Sequence, residues 1–461
     1  MSAPSPSTAA VSYDRRIGLF SGTMLVVGGI IGSGIFLNPA IVAQRVGTTG
    51  LTMAVWALGA LVAILGAFIF AELGARSPTA GGGYAYLRDA FGPLPAFLYG
   101  WALLVAIASG AIAAVAVTFA SYFAPLVGLG PNAHVPLAVG AVVLLSLVNA
   151  VGVRPGAVTQ NVFTILKLAA IAALVVGGLV AAGAGSADAA AVATAAGAPP
   201  RGGAPSVIAV GTALVPVLFS YGGWQQTNFV AEEMVEPERT LPRALVIGVL
   251  VVAAVYLAVN ATYLRVLGVD GLAASSAPAA DAMGAAFGPA GRTLIAAGIS
   301  ISTFGFLNLV ILVTPRVYQA MARDGLFFRR LAELHPRYRT PVAAVAIQGV
   351  WAVVLVMSGS YGQLLDYVTF ADWIFFGVTA TALLVFRRRD PVGDGTRFRA
   401  PLYPWSVIVF VLASAYVVTG AVVSNPGNAV RGTLLLAAGV PAYLYWRSRA
   451  SGSPGRAIDV P

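Results

Sequence analysis

Cysteine is absent from the 461-residue chain, which excludes disulfides and thiolate metal sites. Histidine occurs only at His134 and His335, too far apart for any ligand spacing, so no metal centre is expected. Charge is scarce as well. Charged residues make up 10% of the chain, against about 25% in an average soluble domain, and a water-facing surface cannot be built from that supply. No glycine-rich stretch runs into Lys-Ser or Lys-Thr, which removes a phosphate-binding loop. No nucleophile stands with a histidine and an acid. The expectation is a protein that is not an enzyme and needs no cofactor.

Apolar residues fill the space instead: the chain is 58% hydrophobic, with a mean hydropathy of +0.86. Runs of about 20 apolar residues, enough for the hydrocarbon core of a bilayer, recur along its whole length. They predict an all-α integral membrane protein with twelve spans. These fall near residues 17–43, 51–75, 94–124, 135–153, 158–184, 206–231, 241–265, 291–321, 341–358, 363–386, 402–424 and 431–447. The net charge of +10 is spread unevenly. Arginines gather in alternate connections: Arg15 and Arg16, Arg76 and Arg88, Arg239 and Arg243, Arg323 to Arg339, Arg387 to Arg399, Arg447 and Arg449. That alternation follows the positive-inside bias and predicts both termini in the cytoplasm, so it records topology and not a nucleic-acid partner. Residues 1–15 lack a signal-peptide pattern and read as a disordered cytoplasmic tail. Residues 16–448 form one transmembrane domain, and 449–461 a second cytoplasmic tail. An Ala/Gly/Pro-rich outer loop is expected from Gly185 to Pro205, and a short surface helix within SSAPAADAMGAAFG.

Two of the spans are interrupted by helix-breaking residues. The first reads GGIIGSGIF over residues 28–36; the sixth carries Tyr221, Gly222, Gly223 and Trp224, followed by Gln225, Gln226 and Asn228. The interruptions lie five spans apart. Breaks at matching places in two five-helix halves predict an inverted repeat with its binding site at the midplane. The halves cover about residues 17–184 and 206–386, with extra helices at about 402–447.

Backbone groups freed inside a bilayer must be satisfied by protein, water or ligand. A break at Gly32, Ser33 and Gly34 frees amides at the partly positive start of a half-helix, which suits a carboxylate. Carbonyls around Ile30 and Ile31, and around Phe219 and Gly222, suit an ammonium group. One zwitterionic α-amino acid satisfies both sets. Glycine at these points permits unusual dihedrals and close approach of a ligand. The competing explanation is small-residue packing between helices, for which Gly18, Gly22, Gly28 and Gly32 are spaced.

Lys167, the only lysine, sits mid-span among apolar neighbours in NVFTILKLAAI. An intramembrane charge points to function by default. A buried ammonium can stand in for a coupling cation, with Ser300, Ser302 or Thr303 of the eighth span as hydroxyl partners; the alternative is a lysine that snorkels to the interface. Glu72 and Arg76 lie four apart at an inner span end, and Glu232, Glu233, Glu236 and Glu238 form an acidic cluster after the sixth span. Pairing of that cluster with Arg76, Arg323 or another inner arginine would lock a gate from inside, and a solvated acidic loop is the alternative. Asp366 and Asp372, in the tenth span, receive no role.

Four motifs in order, GGIIGSGIF, FAELGARSPTAGGGYAYLRDAFG, LFSYGGWQQTNFVAEEMVEPERTLPRAL and RVYQAMARDGLFFRRLAELHPRYRTP, resemble those of the amino acid–polyamine–organocation superfamily. Within it, the likeness points to the L-type amino acid transporter branch and its bacterial relatives. The resemblance implies the five-plus-five inverted-repeat fold of sodium-coupled neurotransmitter transporters, and alternating access. It implies that the backbone of Ser33 and Gly34 holds the substrate carboxylate, with Gly32 permitting the break. The carbonyls of Ile30, Phe219 and Gly222 would take the amino group, and the Phe219 ring would act as a lid, with Gly223 and Gln225 beside them. Lys167 matches a lysine at the second sodium position of sodium-independent members, which implies transport without sodium. Gln225 and Gln226 stand where animal members often have Asn and Tyr, so side-chain selectivity stays open. With no cysteine, the disulfide-linked heavy chain of animal members is not expected. The arginine-rich, lysine-poor composition is that of a GC-rich bacterial genome, hence an inner-membrane location. The expected activity is secondary transport of L-amino acids by exchange or proton symport, neutral ones preferred because neither break holds an acidic side chain. A cationic amino acid or polyamine antiporter and a non-transporting amino acid sensor are the alternatives.

Overall fold

The apolar runs fold as α-helices, and a computed structural model places their ends where helix-breaking residues stand. Residues 12–183, 207–359, 361–390, 397–424 and 426–451 are described. Residues 1–11 of the expected N-terminal tail, the Gly185–Pro205 loop and most of the C-terminal tail lie outside them, as does the side chain of Asp366.

The first apolar run is two helices, α1 (Leu19–Ile30) and α2 (Gly34–Val46), which meet at 44°. α3 (Thr49–Arg76) starts from Thr48, whose hydroxyl accepts from the Leu51 amide, an N-cap that satisfies one orphan donor. The short α4 (Gly83–Phe91) precedes α5 (Pro93–Ala102), which passes through a π-helical turn, Leu103–Ile107, into α6 (Ala108–Leu126). α7 (His134–Ala150), α8 (Val153–Gly183) and α9 (Val207–Ser220) come next. After α9 the chain turns and runs on as a 3-10 stretch, Trp224–Glu233. α10 (Pro237–Ala274) and α11 (Pro278–Val313) both open on proline, which is tolerated where a helix has no use for the missing N–H. Gly288, with φ +60°, bends α11 and sets off its first turns where the short surface helix is expected. α12 (Pro315–Arg323), α13 (Val342–Ser358), α14 (Tyr361–Arg389), α15 (Trp405–Ser424), α16 (Pro426–Ala437) and α17 (Gly439–Ser451) complete the chain.

Among the described residues seven helices are long and apolar enough to cross a membrane, or eight with α1 and α2 as one span. The other expected spans include shorter or divided helices. α9 has 14 residues and α13 has 17, and the last run, expected over 431–447, is split into α16 and α17. The chain is thus an all-helical, multi-pass membrane protein.

Lipid supplies no hydrophobic drive between helices, so close packing of small residues must hold them. α8 and α11 show it: a Cβ added at Gly298 would lie 3.0 Å from that of Ala170, and one at Gly305 would lie 2.9 Å from that of Phe163. α3 lies along α10, α2 along α9, and α1 is wedged between α8, α10 and α11. The junction of α1 and α2 is therefore enclosed by the bundle.

Candidate functional site

α1 ends where Ile31 leaves helical geometry (φ −75°, ψ 88°), and α2 restarts at Gly34 with no side-chain cap. No turn of helix continues from α1 into α2, so the first amides of α2 lack the usual acceptor one turn back; Phe36 N alone finds one nearby, on Ser33 O at 3.1 Å. α9 stops at Ser220, and Gly223 turns the chain with φ +109°, a region that disfavours any β-carbon. Beyond this second break the chain is 3-10, not α-helical.

The two breaks touch. A Cβ at Gly29 would lie 3.0 Å from the Gly223 carbonyl oxygen, and one at Gly223 would overlap that of Gly29. Gly28 is closed in by Gln160 and Thr164, and Gly34 by Ser220. At these four positions small-residue packing is a sufficient reason for glycine. Gly32 differs: a Cβ there would meet only Phe306 Cδ2, at 3.9 Å, so the missing side chain leaves open space beside the break.

Pro216 lies inside α9 and offers no N–H to Thr212. Arg45 of α2 donates to the Thr212 carbonyl that this leaves unclaimed. Asn38 of α2 donates to the Pro216 carbonyl at 3.0 Å and to Ser220 Oγ at 2.7 Å. α2 and α9 are tied together by these bonds.

Lys167 shares a buried stripe of α8 with Gln160 and Thr164. The residue is 1% exposed, and its ammonium donates to Gly28 O (3.1 Å) and Ile31 O (2.5 Å), at the end of α1. It does not snorkel. Ser302 Oγ reaches the same Ile31 carbonyl at 3.4 Å, whereas Ser300 and Thr303 bond carbonyls of their own helix. Lys167 and Ser302 thus meet at the first break.

The carbonyl of Ile30 already accepts from Gly32 N (2.9 Å) and from the Tyr256 hydroxyl (3.0 Å). The same hydroxyl lies 3.1 Å from Ser220 O, at the end of α9. Tyr256 therefore bridges both breaks, a role no sequence signal marks, since it is one tyrosine in an apolar run. Phe219 O accepts from Gly222 N at 3.1 Å, and the Phe219 ring is 45% exposed, so it is not closed over the break as a lid. Gln225 is buried and its Oε1 accepts from Gly223 N at 3.0 Å, so it caps its own turn. Beside Gly222, a small cleft is lined by Leu218, Trp224, Trp373 and Phe376.

At the arginine-rich end Glu72 is fully buried and takes four bonds: Arg76 Nε (2.9 Å), Arg387 Nε and Nη2 (2.9 and 2.6 Å) and Ala400 N (2.7 Å). Arg76 pairs with Glu72 and Asp390, away from the acidic cluster. Glu232 accepts from Ala80 N and pairs with the exposed Arg323 at 3.5 Å, a contact that contributes little in water. Glu233 and Arg316 are another matter. They form a two-pronged pair at 2.6 and 3.1 Å, and neither side chain is exposed at all. Arg316 stands in the fourth motif, but only burial distinguishes it from the arginines around it. Removing one partner strands a buried charge at a cost of about 3–5 kcal/mol. Arg316→Met is therefore expected to lower the thermal unfolding temperature by several degrees in detergent; an unchanged temperature would mean that the pair is solvated and weak.

Part of the expected disordered tail is packed over this pair. The amides of Arg16 and Ile17 donate to Glu233 O, Val235 N donates to Ile17 O, and the Tyr13 ring lies 5.9 Å from the Arg316 guanidinium. Tyr13 is buried there, and burial raises the pKa of its phenol, which stays neutral.

An amino acid permease family model matches residues 17–443. The chain is 34% identical over 380 residues to the human b(0,+)-type amino acid transporter 1, covering 82% of this chain and 77% of that protein. It is 31% identical over 438 residues to the serine/threonine exchanger SteT of Bacillus subtilis (strain 168), covering 94% and 97%. It is also 31% identical over 448 residues to the human large neutral amino acids transporter small subunit 2, covering 95% and 82%. A match that runs from the first helix to the last, on a bundle built this way, makes the chain a member of the amino acid permease family, and so a multi-pass membrane transporter rather than an enzyme.

Proposed function

We propose that this permease carries L-amino acids, neutral ones above all, across the bacterial cytoplasmic membrane by alternating access. The observation that carries this is the open space at Gly32, between the uncapped start of α2 and the carbonyl ends of α1 and α9. In this proposal the amides of Ser33 and Gly34 hold the substrate carboxylate. The carbonyls of Ile30, Phe219 and Gly222 receive its ammonium: Phe219 O has a second lone pair to give, and Ile30 O, which already accepts twice, is released when Tyr256 turns its hydroxyl to Ser220 O. The names of two relatives, a serine/threonine exchanger and a large neutral amino acids transporter, support neutral substrates.

Lys167 supports sodium independence, because its ammonium fills the place where Gly28 O, Ile31 O and Ser302 Oγ would otherwise surround a cation. Coupling is then by exchange or by protons. The twelve-span, five-plus-five architecture over residues 16–448, with both termini in the cytoplasm, completes the proposal. In that orientation Glu72 and Glu233 tie the inner end together, and Glu232 joins Arg323 at its rim. No disulfide-linked heavy chain is required.

Tyr256→Phe keeps the ring and removes one donor. A net hydrogen bond is worth roughly 0.5–1.5 kcal/mol, so initial uptake is expected to fall about two- to tenfold while the unfolding temperature barely moves. An unchanged rate would remove Tyr256 from the site.

The experiment for the whole function is a competition panel of amino acids against labelled uptake in proteoliposomes. It is run with sodium or choline, with and without a proton gradient, and with and without internal substrate. Neutral amino acids should compete, choline should change nothing, and either internal substrate or the gradient should stimulate. Binding without uptake would replace the transporter by a sensor.

A further inference from the structure

A cluster of arginines and aromatic rings at the arginine-rich end has no task in the proposed transport cycle. α17 is held against α5 by the rings of Tyr443 and Phe97, 5.6 Å apart. One turn on, the Trp446 ring meets two rings of the connection that follows α12, Phe328 at 4.7 Å and Phe327 at 5.9 Å. Arg447 comes directly after Trp446, with Arg449 two residues later. Arg329 and Arg330 come directly after Phe328, in a 3-10 turn, Arg329–Ala332. The ring contact thus sets two arginine pairs from distant parts of the chain side by side, and all four residues are exposed. Residues 328–333 and 439–451 contain one acid, Glu333. Asp324, just before the turn, is taken by Arg88 at 3.0 Å. The guanidinium of Arg449 lies 4.6 Å from the Tyr445 ring and that of Arg447 5.9 Å from the Tyr443 ring. A ring face attracts the charge without consuming N–H donors. Beside the charges the surface is apolar: Phe328 and Tyr445 are each 49% exposed, and Leu444 is 56% exposed.

Topology calls for arginines at an inner rim, and the carbonyl end of α17 attracts Arg447 and Arg449 by itself. Neither accounts for a second arginine pair fastened alongside by stacked rings, next to apolar side chains left uncovered. Exposed rings beside cations mark the depth at which hydrocarbon gives way to headgroups. We propose that this rim is a docking site for an anionic phospholipid. Its phosphodiester is taken by Arg329, Arg330, Arg447 and Arg449, and its acyl chains lie along Phe328, Leu444 and Tyr445. Guanidinium groups suit the phosphodiester because their forked N–H donors match its oxygens. A zwitterionic lipid brings its own ammonium against four arginines and is disfavoured. The lipid then bridges α17 and the connection after α12, two segments that otherwise meet through rings.

The test titrates the full chain in detergent with dioleoyl phosphatidylglycerol, with dioleoyl phosphatidylcholine and with inorganic phosphate, and counts bound lipid by native mass spectrometry. Phosphatidylglycerol should bind at least about tenfold more tightly than phosphatidylcholine. Arg329→Gln with Arg330→Gln, and separately Arg447→Gln with Arg449→Gln, should each weaken phosphatidylglycerol about thirtyfold. Arg239→Gln with Arg243→Gln removes the same charge from the start of α10. That pair should change the affinity less than about threefold, since screening confines each charge to its surroundings. Trp446→Ala keeps all four arginines but loosens the contact that aligns them, and should weaken binding about threefold or more. Equal binding of phosphatidylcholine overturns the inference, as does an equal loss in the α10 pair, which would mean attraction to the basic end as a whole. Inorganic phosphate that displaces the lipid at matching concentration also overturns it, in favour of a free-anion site. Should Trp446→Ala not fold, the exposed arginine pairs decide the matter. The transport function is judged separately, by the uptake panel.

Discussion

Lys167→Ala is expected to reduce amino acid uptake by at least about tenfold while leaving the protein inserted and folded. The lysine is the donor for two carbonyls at the end of α1; on its removal Gly28 O loses that donor and Ile31 O keeps only the long contact with Ser302. Each buried carbonyl left without a good donor costs about 1–3 kcal/mol, and a factor of ten corresponds to about 1.4 kcal/mol, so the loss spans roughly one to four decades. The cost falls on the end of α1, where the first break must keep its shape. α8 itself should stay in place, since its contact with α11 is made by Gly298, Gly305, Ala170 and Phe163, which do not involve the ammonium. Initial uptake rates and thermal unfolding, measured on the same preparation, separate the two effects. A variant that transports at the wild-type rate would reduce Lys167 to a dispensable strut.

Gly32→Leu is expected to abolish substrate binding with little loss of stability. A leucine at Gly34 would be ambiguous, because a Cβ there already lies 2.7 Å from Ser220 Oγ. At Gly32 an added Cβ would meet nothing nearer than Phe306 Cδ2, 3.9 Å away, and the backbone φ is not in the left-handed region, so the fold has room there for a β-carbon. That room is where the substrate is proposed to lie. Binding measured by ligand-induced thermal shift should vanish, and the unfolding temperature without ligand should stay close to that of the wild type. Retained binding would place the substrate elsewhere.

The positions of both breaks were legible because Gly32-Ser33-Gly34 and Gly222-Gly223 lower the helix preference locally and stand beside polar residues, whereas the pairs Gly28-Gly29 and Gly177-Gly178 stay helical within α1 and α8. Lys167 was legible through its oddity, a single cation in an apolar run. What the chain does not write locally is which distant donor claims a freed carbonyl. Tyr256 is 226 residues from Ile30, and nothing in either neighbourhood announces the bond. The same holds for Arg316 on Glu233, 83 residues away; Gln225 misleads locally instead, its amide looking like a substrate ligand until its oxygen is found on Gly223 N. Glycine is ambiguous for a related reason. Gly28, Gly29, Gly34 and Gly223 lie where neighbours press on the backbone and Gly32 lies at an opening, yet all five are the same letter. The acidic cluster after the sixth span likewise divides by burial alone, Glu233 inside and Glu232 nearer solvent.

Backbone recognition of a zwitterion makes a demand that no side chain enters. The best neutral substrate from the uptake panel should be compared with its methyl ester, which lacks the carboxylate, and with the corresponding acid that lacks the α-amino group. Competition by the amino acid alone, with both analogues inactive, is the predicted result. An ester or a deaminated acid that competes as well as the parent amino acid would contradict a site built from the two broken helices.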